Sequence, residues 1–373
     1  MKKIICTLAL LCALTVGAFG QDFQMNGTVL VKYRGNAANV TIPAGVTAIG
    51  ENAFRGCTSL TSITIPSGVT VIGENAFNGC TSLTSITIPS GVTAIGGNPF
   101  GGNLTSITVD NRNSAYSSVE GVLFNKDRTV IVAYPAGKQE RTYTIPSSVT
   151  SIGNGAFINC GSLTSITIPT SVTSIGDYSF SRCNSLTSVT IPTSVTTIED
   201  YVFAGCESLI SITIPSSVTS IGSSAFSGCT SLTGVTIPSG VTVIGVSAFR
   251  RCTSLTSITI PASVTTIEDF AFYRCESLIS ITIPSGVTSI GEGAFYRCRS
   301  LTNVTIPASV TTIGNGAFIG CTSLTSITIP SSVTSIGRAA FSNCDNLKTV
   351  TLSRRATIGK DAFPSTARIT YSD

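Results

Sequence analysis

The segment Leu60-Thr61-Ser62-Ile63-Thr64-Ile65-Pro66 alternates apolar and polar side chains, with Ile63 and Ile65 on one face and Ser62 and Thr64 on the other. A period of two is what a strand with one buried face requires. Pro66 offers no N–H to a ladder and fixes its φ, so the strand is expected to stop there. Beyond it Val69 and Ile72 turn inward again. Gly73 is expected to make a tight bend, and the stretch from Glu74 to Phe77 turns the chain over the core, with Phe77 and Cys80 filling the far side.

The order then begins again. Prolines fall at 43, 66 and 89, and from 146 to 330, at steps of 23 within each run. A phenylalanine follows each proline by eleven residues and a cysteine by fourteen, except where Asn103 takes the cysteine's place. Residues 146–352 hold nine regular copies. A fixed period of this length predicts a solenoid, in which each unit buries its apolar side only against its neighbours. Like residues should then stack about 5 Å apart in files of Ile, Phe and Cys, and twelve coils should run to roughly 60 Å.

The pattern divides the chain. Residues 1–20 read as a secretory signal, 21–40 as an N-terminal cap with a strand from Met25 to Tyr33, and 41–110 as repeats. Residues 111–145 are an insert, 146–352 the nine regular repeats, and 353–373 a more polar C-terminal cap. In the insert, Gly121–Asn125 and Thr129–Tyr134 flank the polar turn Lys126-Asp127-Arg128 and predict a hairpin. That hairpin either lies on the strand face or projects as a contact element. The block 196–216 returns almost unchanged at 265–285, three repeats later, as a recent duplication would leave it.

The stretch SITIPSGVTSIGEGAFYRCRSLTNV and its sister copies, over about residues 40–363, resemble the BspA-like (Treponema-type) leucine-rich-repeat surface proteins. The resemblance implies a leucine-rich-repeat solenoid of the α/β repeat class. It would be a curved right-handed coil with a parallel sheet on one face and short helical or irregular turns on the other. It also implies a surface or secreted protein that adheres to host matrix proteins or to other cells. The family brings no fixed set of functional residues. The expected function is therefore an exported, non-enzymatic binding protein with a protein ligand. The alternatives are a self-associating surface-layer or matrix component, and glycan or ice binding.

Composition narrows this further. The start, Met1-Lys2-Lys3 and the apolar run Ile4–Phe19, predicts export with cleavage after Gly20. The run is too short for a comfortable membrane span, and Leu10-Leu11 before Cys12 match a lipoprotein cleavage box poorly. The segment ending at Asp373 shows no anchoring motif, so no anchoring route is assigned. Cleavage leaves 20 basic against 18 acidic residues, lowering the net charge from +4 to about +2, which is no footprint for nucleic acid. Of 13 cysteines, Cys6 and Cys12 leave with the signal. The odd remainder in equivalent slots points to buried free thiols ahead of pairing between coils or metal binding. There is no histidine, so neither a zinc site nor the commonest catalytic base is expected. No cofactor is expected.

Recognition must sit where the copies differ, and the differences gather after the phenylalanine. Arg251, Arg274 and Arg297 fall two residues after it, in consecutive coils, and Arg250, Tyr273 and Tyr296 one residue after it. Arg299 lies a little further along the same turn. Tyr and Arg are the residues that most often carry interface energy. The cluster is either a contact stripe for an acidic protein segment or glycan, or a solvated ridge partly neutralised by Glu207, Asp269 and Glu276. A second candidate is the exposed strand face, with a threonine file (Thr64 to Thr328) beside a serine file (Ser165 to Ser326). Ordinary cross-strand pairing competes there with binding of a repetitive partner.

Overall fold

A computed structural model describes residues 22–372, and the expected signal segment with Cys6 and Cys12 lies outside them. The described residues divide into two compact units, residues 22–139 with 155–157, and residues 140–154 with 158–372. Both are β-solenoids of 23-residue coils, and the described residues contain no helix. Of the two readings for the return segment, helical or irregular, the structure has the irregular one.

In the larger unit each coil contributes two short strands to two parallel ladders. In the first, Ser188 pairs with Ser211, Val189 with Ile212 and Thr190 with Thr213. Likewise Ser257, Ile258 and Thr259 pair with Ser280, Ile281 and Thr282. The second ladder joins Thr197–Ile198 to Ser220–Ile221 and then to Val243–Ile244. The sequence pattern places these isoleucines inward but gives no sign that two residues suffice for a second ladder. Because the register repeats with the sequence, like stacks on like, and a slip would put apolar residues on the solvent face.

The interior consists of columns. Phe180, Phe203, Phe226, Phe249, Phe272, Phe295, Phe318 and Phe341 lie ring on ring, with centroids 4.9–5.6 Å apart. Phe363, although it arrives one residue early, still stacks on Phe341 at 5.3 Å. The cysteine file runs beside them. The Cys229, Cys252, Cys275 and Cys298 thiols donate to the carbonyls of Phe203, Phe226, Phe249 and Phe272, each one coil back, at 3.1–3.2 Å. This gives the slot its chemistry: a small, apolar side chain with one weak donor fits against a buried carbonyl. All eleven described cysteines are free, and all but Cys57 are buried.

Gly245 does not serve as a left-handed bend. A Cβ there would stand 2.6 Å from the Gly222 carbonyl carbon and the Ser223 nitrogen of the preceding coil, so the residue allows close backbone approach. Gly73, expected to supply a tight bend, is placed the same way against Gly50 and Glu51. Glu199 and Glu268 occupy the same slot in two coils, so the requirement is not absolute.

The smaller unit departs from the expectation at its start. Phe23–Asn26 and Val29–Tyr33 form an antiparallel hairpin rather than one strand, because Gly27-Thr28 turns the chain with Gly27 at φ +60°. Tyr33 takes a phenylalanine slot: its ring stacks on Phe54 at 5.2 Å, and its N–H donates to the Ala53 carbonyl. The insert contains the predicted hairpin, Val122–Asn125 with Val130–Ala133, plus an unforeseen third strand, Tyr116–Val119. It is stitched to the strand face where Ile107 N–H donates to the Gly121 carbonyl at 2.9 Å. Asn113, 1% exposed, anchors the start of the insert. Its amide donates to the Pro89 and Val92 carbonyls, and its oxygen accepts from the Ala115 and Tyr116 N–H groups. Tyr134 fills another phenylalanine slot, stacked on Phe157 at 5.3 Å.

Candidate binding surface

On the return side each coil reverses direction around its buried phenylalanine through two residues in the left-handed region. One lies two residues before the ring and one two residues after. The later slot holds glycine at 205, 228 and 320, with φ of 71–77°. The same slot holds Arg251 (φ 59°), Arg274 (57°) and Arg297 (55°). A side chain there costs on the order of 1 kcal/mol relative to glycine. Main-chain bonds fix the position: the N–H groups of Arg251, Arg274 and Arg297 donate to the carbonyls of Tyr273, Tyr296 and Ile319 in the next coil, at 2.6–2.7 Å.

All seven residues singled out in the sequence lie along these successive coils. The Tyr273 and Tyr296 rings stack at 4.7 Å and 8°. The Arg250 guanidinium lies 5.1 Å from the Tyr273 centroid and that of Arg297 5.3 Å from the Tyr296 centroid. Arg274 sits 5.7 Å from the Tyr273 centroid. Arg299 stands apart, 3.6 Å from Glu276 in an exposed pair that contributes about 0–1 kcal/mol.

The expected neutralisation is otherwise missing. Asp269 uses its carboxylate to accept the Glu292 N–H at 2.6 Å. Among the described residues no carboxylate pairs with Arg250, Arg251, Arg274 or Arg297. The Arg274 Nε is buried and has no hydrogen-bond acceptor, a condition that few buried polar atoms tolerate.

The slot two residues before the phenylalanine also shapes the surface. Its left-handed conformation swings Tyr178, Tyr201 and Phe270 outward, and Tyr178 stacks on Tyr201 at 4.5 Å. Phe270 meets Tyr273 edge-on, at 5.9 Å and 73°. In the following coils the slot holds Gly293 and Gly316. There an open groove of about 420 Å³ forms, walled by Phe270, Tyr273, Tyr296 and Ile319 and rimmed by Glu292 and Arg338. Scanning both sides of the phenylalanine for departures from the repeat would have found it.

The strand face is a different surface. Ser211, Thr213, Thr236, Ser257 and Thr259 are exposed as expected. The first ladder is interrupted between Ser211–Thr213 and Gly234–Thr236, where the serine file also lapses to glycine. A trough of about 560 Å³ opens there. Many hydroxyls outside these two files are engaged internally: Thr164, Thr187 and Thr256 donate to main-chain carbonyls one coil back.

The comparisons with known proteins follow the fold. A family model described as the BspA type leucine rich repeat region (6 copies) matches residues 31–127, 136–256 and 243–370. A leucine-rich repeat protein from Bacteroides ovatus is 29% identical, with a TM-score of 0.60, over 92% of this chain and 87% of that one. A leucine rich cell surface protein from Faecalibacterium prausnitzii is 31% identical, with a TM-score of 0.51, over 94% and 93%. No curated protein matches the chain. No helix among the described residues is long and apolar enough to cross a membrane.

Proposed function

The chain belongs to the BspA-type leucine-rich-repeat family, and from that premise we propose that it is an exported, non-enzymatic binding protein acting as an adhesin. It recruits a protein of the host matrix or of a neighbouring cell through the surface of Arg250, Arg251, Tyr273, Arg274, Tyr296 and Arg297. The observation that carries this reading is the file of arginines held in left-handed slots without carboxylate partners. The surrounding coils meet the same backbone demand with glycine at no such cost. Export is supported by the N-terminal run from Met1 to Gly20, and a surface location by the likeness to the F. prausnitzii cell surface protein.

The test is adhesion of the chain lacking residues 1–20 to immobilised matrix proteins, beside the Arg251→Ser, Arg274→Ser, Arg297→Ser triple variant. Serine is uncharged, and Ser224 and Ser247 adopt left-handed φ in the slot two residues before the phenylalanine. Adhesion should fall at least about tenfold, with the residual binding insensitive to salt. Unchanged adhesion by the triple variant would remove the site. Sedimentation of both proteins separates this reading from self-association, which the substitutions should leave untouched. Mass spectrometry of the secreted chain should give Gln21 as its first residue.

A further inference from the structure

We propose that the groove beside the arginine file receives one apolar side chain of an extended acidic peptide whose carboxylates engage Arg274 and Arg297. This deepens the reading above and rests on it. The groove exists because two successive coils carry glycine where most others carry a side chain. A Cβ on Gly293 would stand 2.7 Å from the Phe270 ring, and one on Gly316 2.8 Å from Ile319 Cδ1. The neighbouring apolar groups therefore fold down over bare backbone and wall a depression. Its volume of about 420 Å³ is near the lower end of the roughly 300–1,000 Å³ of ligand pockets.

The chemistry of the walls chooses the occupant. A sugar stacks on an aromatic face, and the tyrosine faces here are already occupied. Tyr273 and Tyr296 cover each other at 4.7 Å, and Arg250 and Arg297 cover their rings as well. What remains for a ligand is tyrosine edges, Phe270 and Ile319, which suit an aliphatic or aromatic side chain. Across the tyrosine file lies the unpaired charge, including the acceptorless Arg274 Nε. A carboxylate matches the guanidinium fork through two parallel N–H donors. Sulfated polysaccharide would answer the charge and leave the groove empty. One chain that supplies both acid and apolar groups a few ångströms apart is an extended peptide.

The experiment measures fluorescence anisotropy of a short labelled peptide carrying acidic residues on either side of one phenylalanine. A twin with serine at that position and a labelled heparin serve as the other probes. The whole chain lacking residues 1–20 is used, with variants that borrow residues other coils already hold. Gly316→Asn fills the groove with the residue that Asn52, Asn75 and Asn98 place in that slot. Arg274→Gly with Arg297→Gly removes the charge and suits the backbone. The phenylalanine peptide should bind the native protein about tenfold tighter than the serine twin, a difference of 1.4 kcal/mol. Gly316→Asn should abolish that preference while leaving the serine twin's affinity unchanged. The double arginine variant should weaken both peptides. Equal binding of the two peptides by the native protein overturns the groove proposal and leaves the arginine site standing. Peptide binding indifferent to the arginine changes overturns both. Heparin bound tightly while neither peptide binds overturns the peptide as occupant.

Discussion

Replacing Arg297 by glycine and, separately, by alanine tests the backbone argument on which the candidate surface depends. Both changes remove the same charge and the same contact with the Tyr296 ring, so those effects cancel in the comparison. What differs is the fit to φ 55°. Alanine keeps a left-handed cost of about 1–2 kcal/mol that glycine lacks. Glycine gives back roughly 0.5–1 kcal/mol because its unfolded chain is freer. The glycine variant should therefore be the more stable by about 0.5–1 kcal/mol, the reverse of the order at ordinary helix or strand positions. Made together at Arg251, Arg274 and Arg297, the difference should approach 2 kcal/mol. Relief of like-charge repulsion, about 0.8 kcal/mol per neighbouring pair at 5 Å in water, is common to both triples. Urea midpoints, compared where the slopes agree, read the difference. A control inverts the change. At Gly228→Ala the new Cβ would stand 3.6 Å from Gly205, an ordinary contact, so a loss of about 0.5–1 kcal/mol reads the left-handed cost net of the unfolded-chain effect, free of a clash. If the alanine triple equals or exceeds the glycine triple in stability, these residues are not left-handed in solution and the strain argument fails.

Two further outcomes test the interior. Phe249→Ala should cost about 3–5 kcal/mol, because the fully buried ring is stacked at 5.3 Å on Phe226 and 5.6 Å on Phe272. A urea midpoint implying less than about 1 kcal/mol would deny the column. In native protein one thiol, Cys57, should alkylate quickly, and the other described thiols only on unfolding. The neighbouring Cys80 thiol and, less, the Lys32 ammonium favour the Cys57 thiolate against the opposing effect of burial, bringing its pKa down to about 7. Burial pushes the Cys229, Cys252 and Cys275 thiols well up. Since the thiolate is the nucleophile, the native rate should climb as pH rises through about 7. A Cys57→Ser variant that still labels quickly would refute the assignment.

Strict repetition made the solenoid and the columns legible from the chain alone, and two apolar runs flanking a polar turn did the same for the hairpin of the insert. When every coil carries proline, phenylalanine and cysteine at the same phase, one packing solution serves them all, and like must lie on like. The arginine and tyrosine file was legible for the same reason, as a departure from a uniform background. Backbone conformation and close approach were not legible, because neither leaves a trace in hydrophobic period. Gly27-Thr28 turned an expected strand into a hairpin, Tyr33 and Tyr134 took phenylalanine slots out of phase, and a two-residue segment proved enough for a second ladder. Only the folded coil revealed that Arg251, Arg274 and Arg297 sit in left-handed slots, that Asp269 is occupied by a main-chain N–H, and that Gly293 and Gly316 clear a groove. Those facts depend on which residues of one coil face the backbone of the next, and that juxtaposition exists only after the coils have stacked.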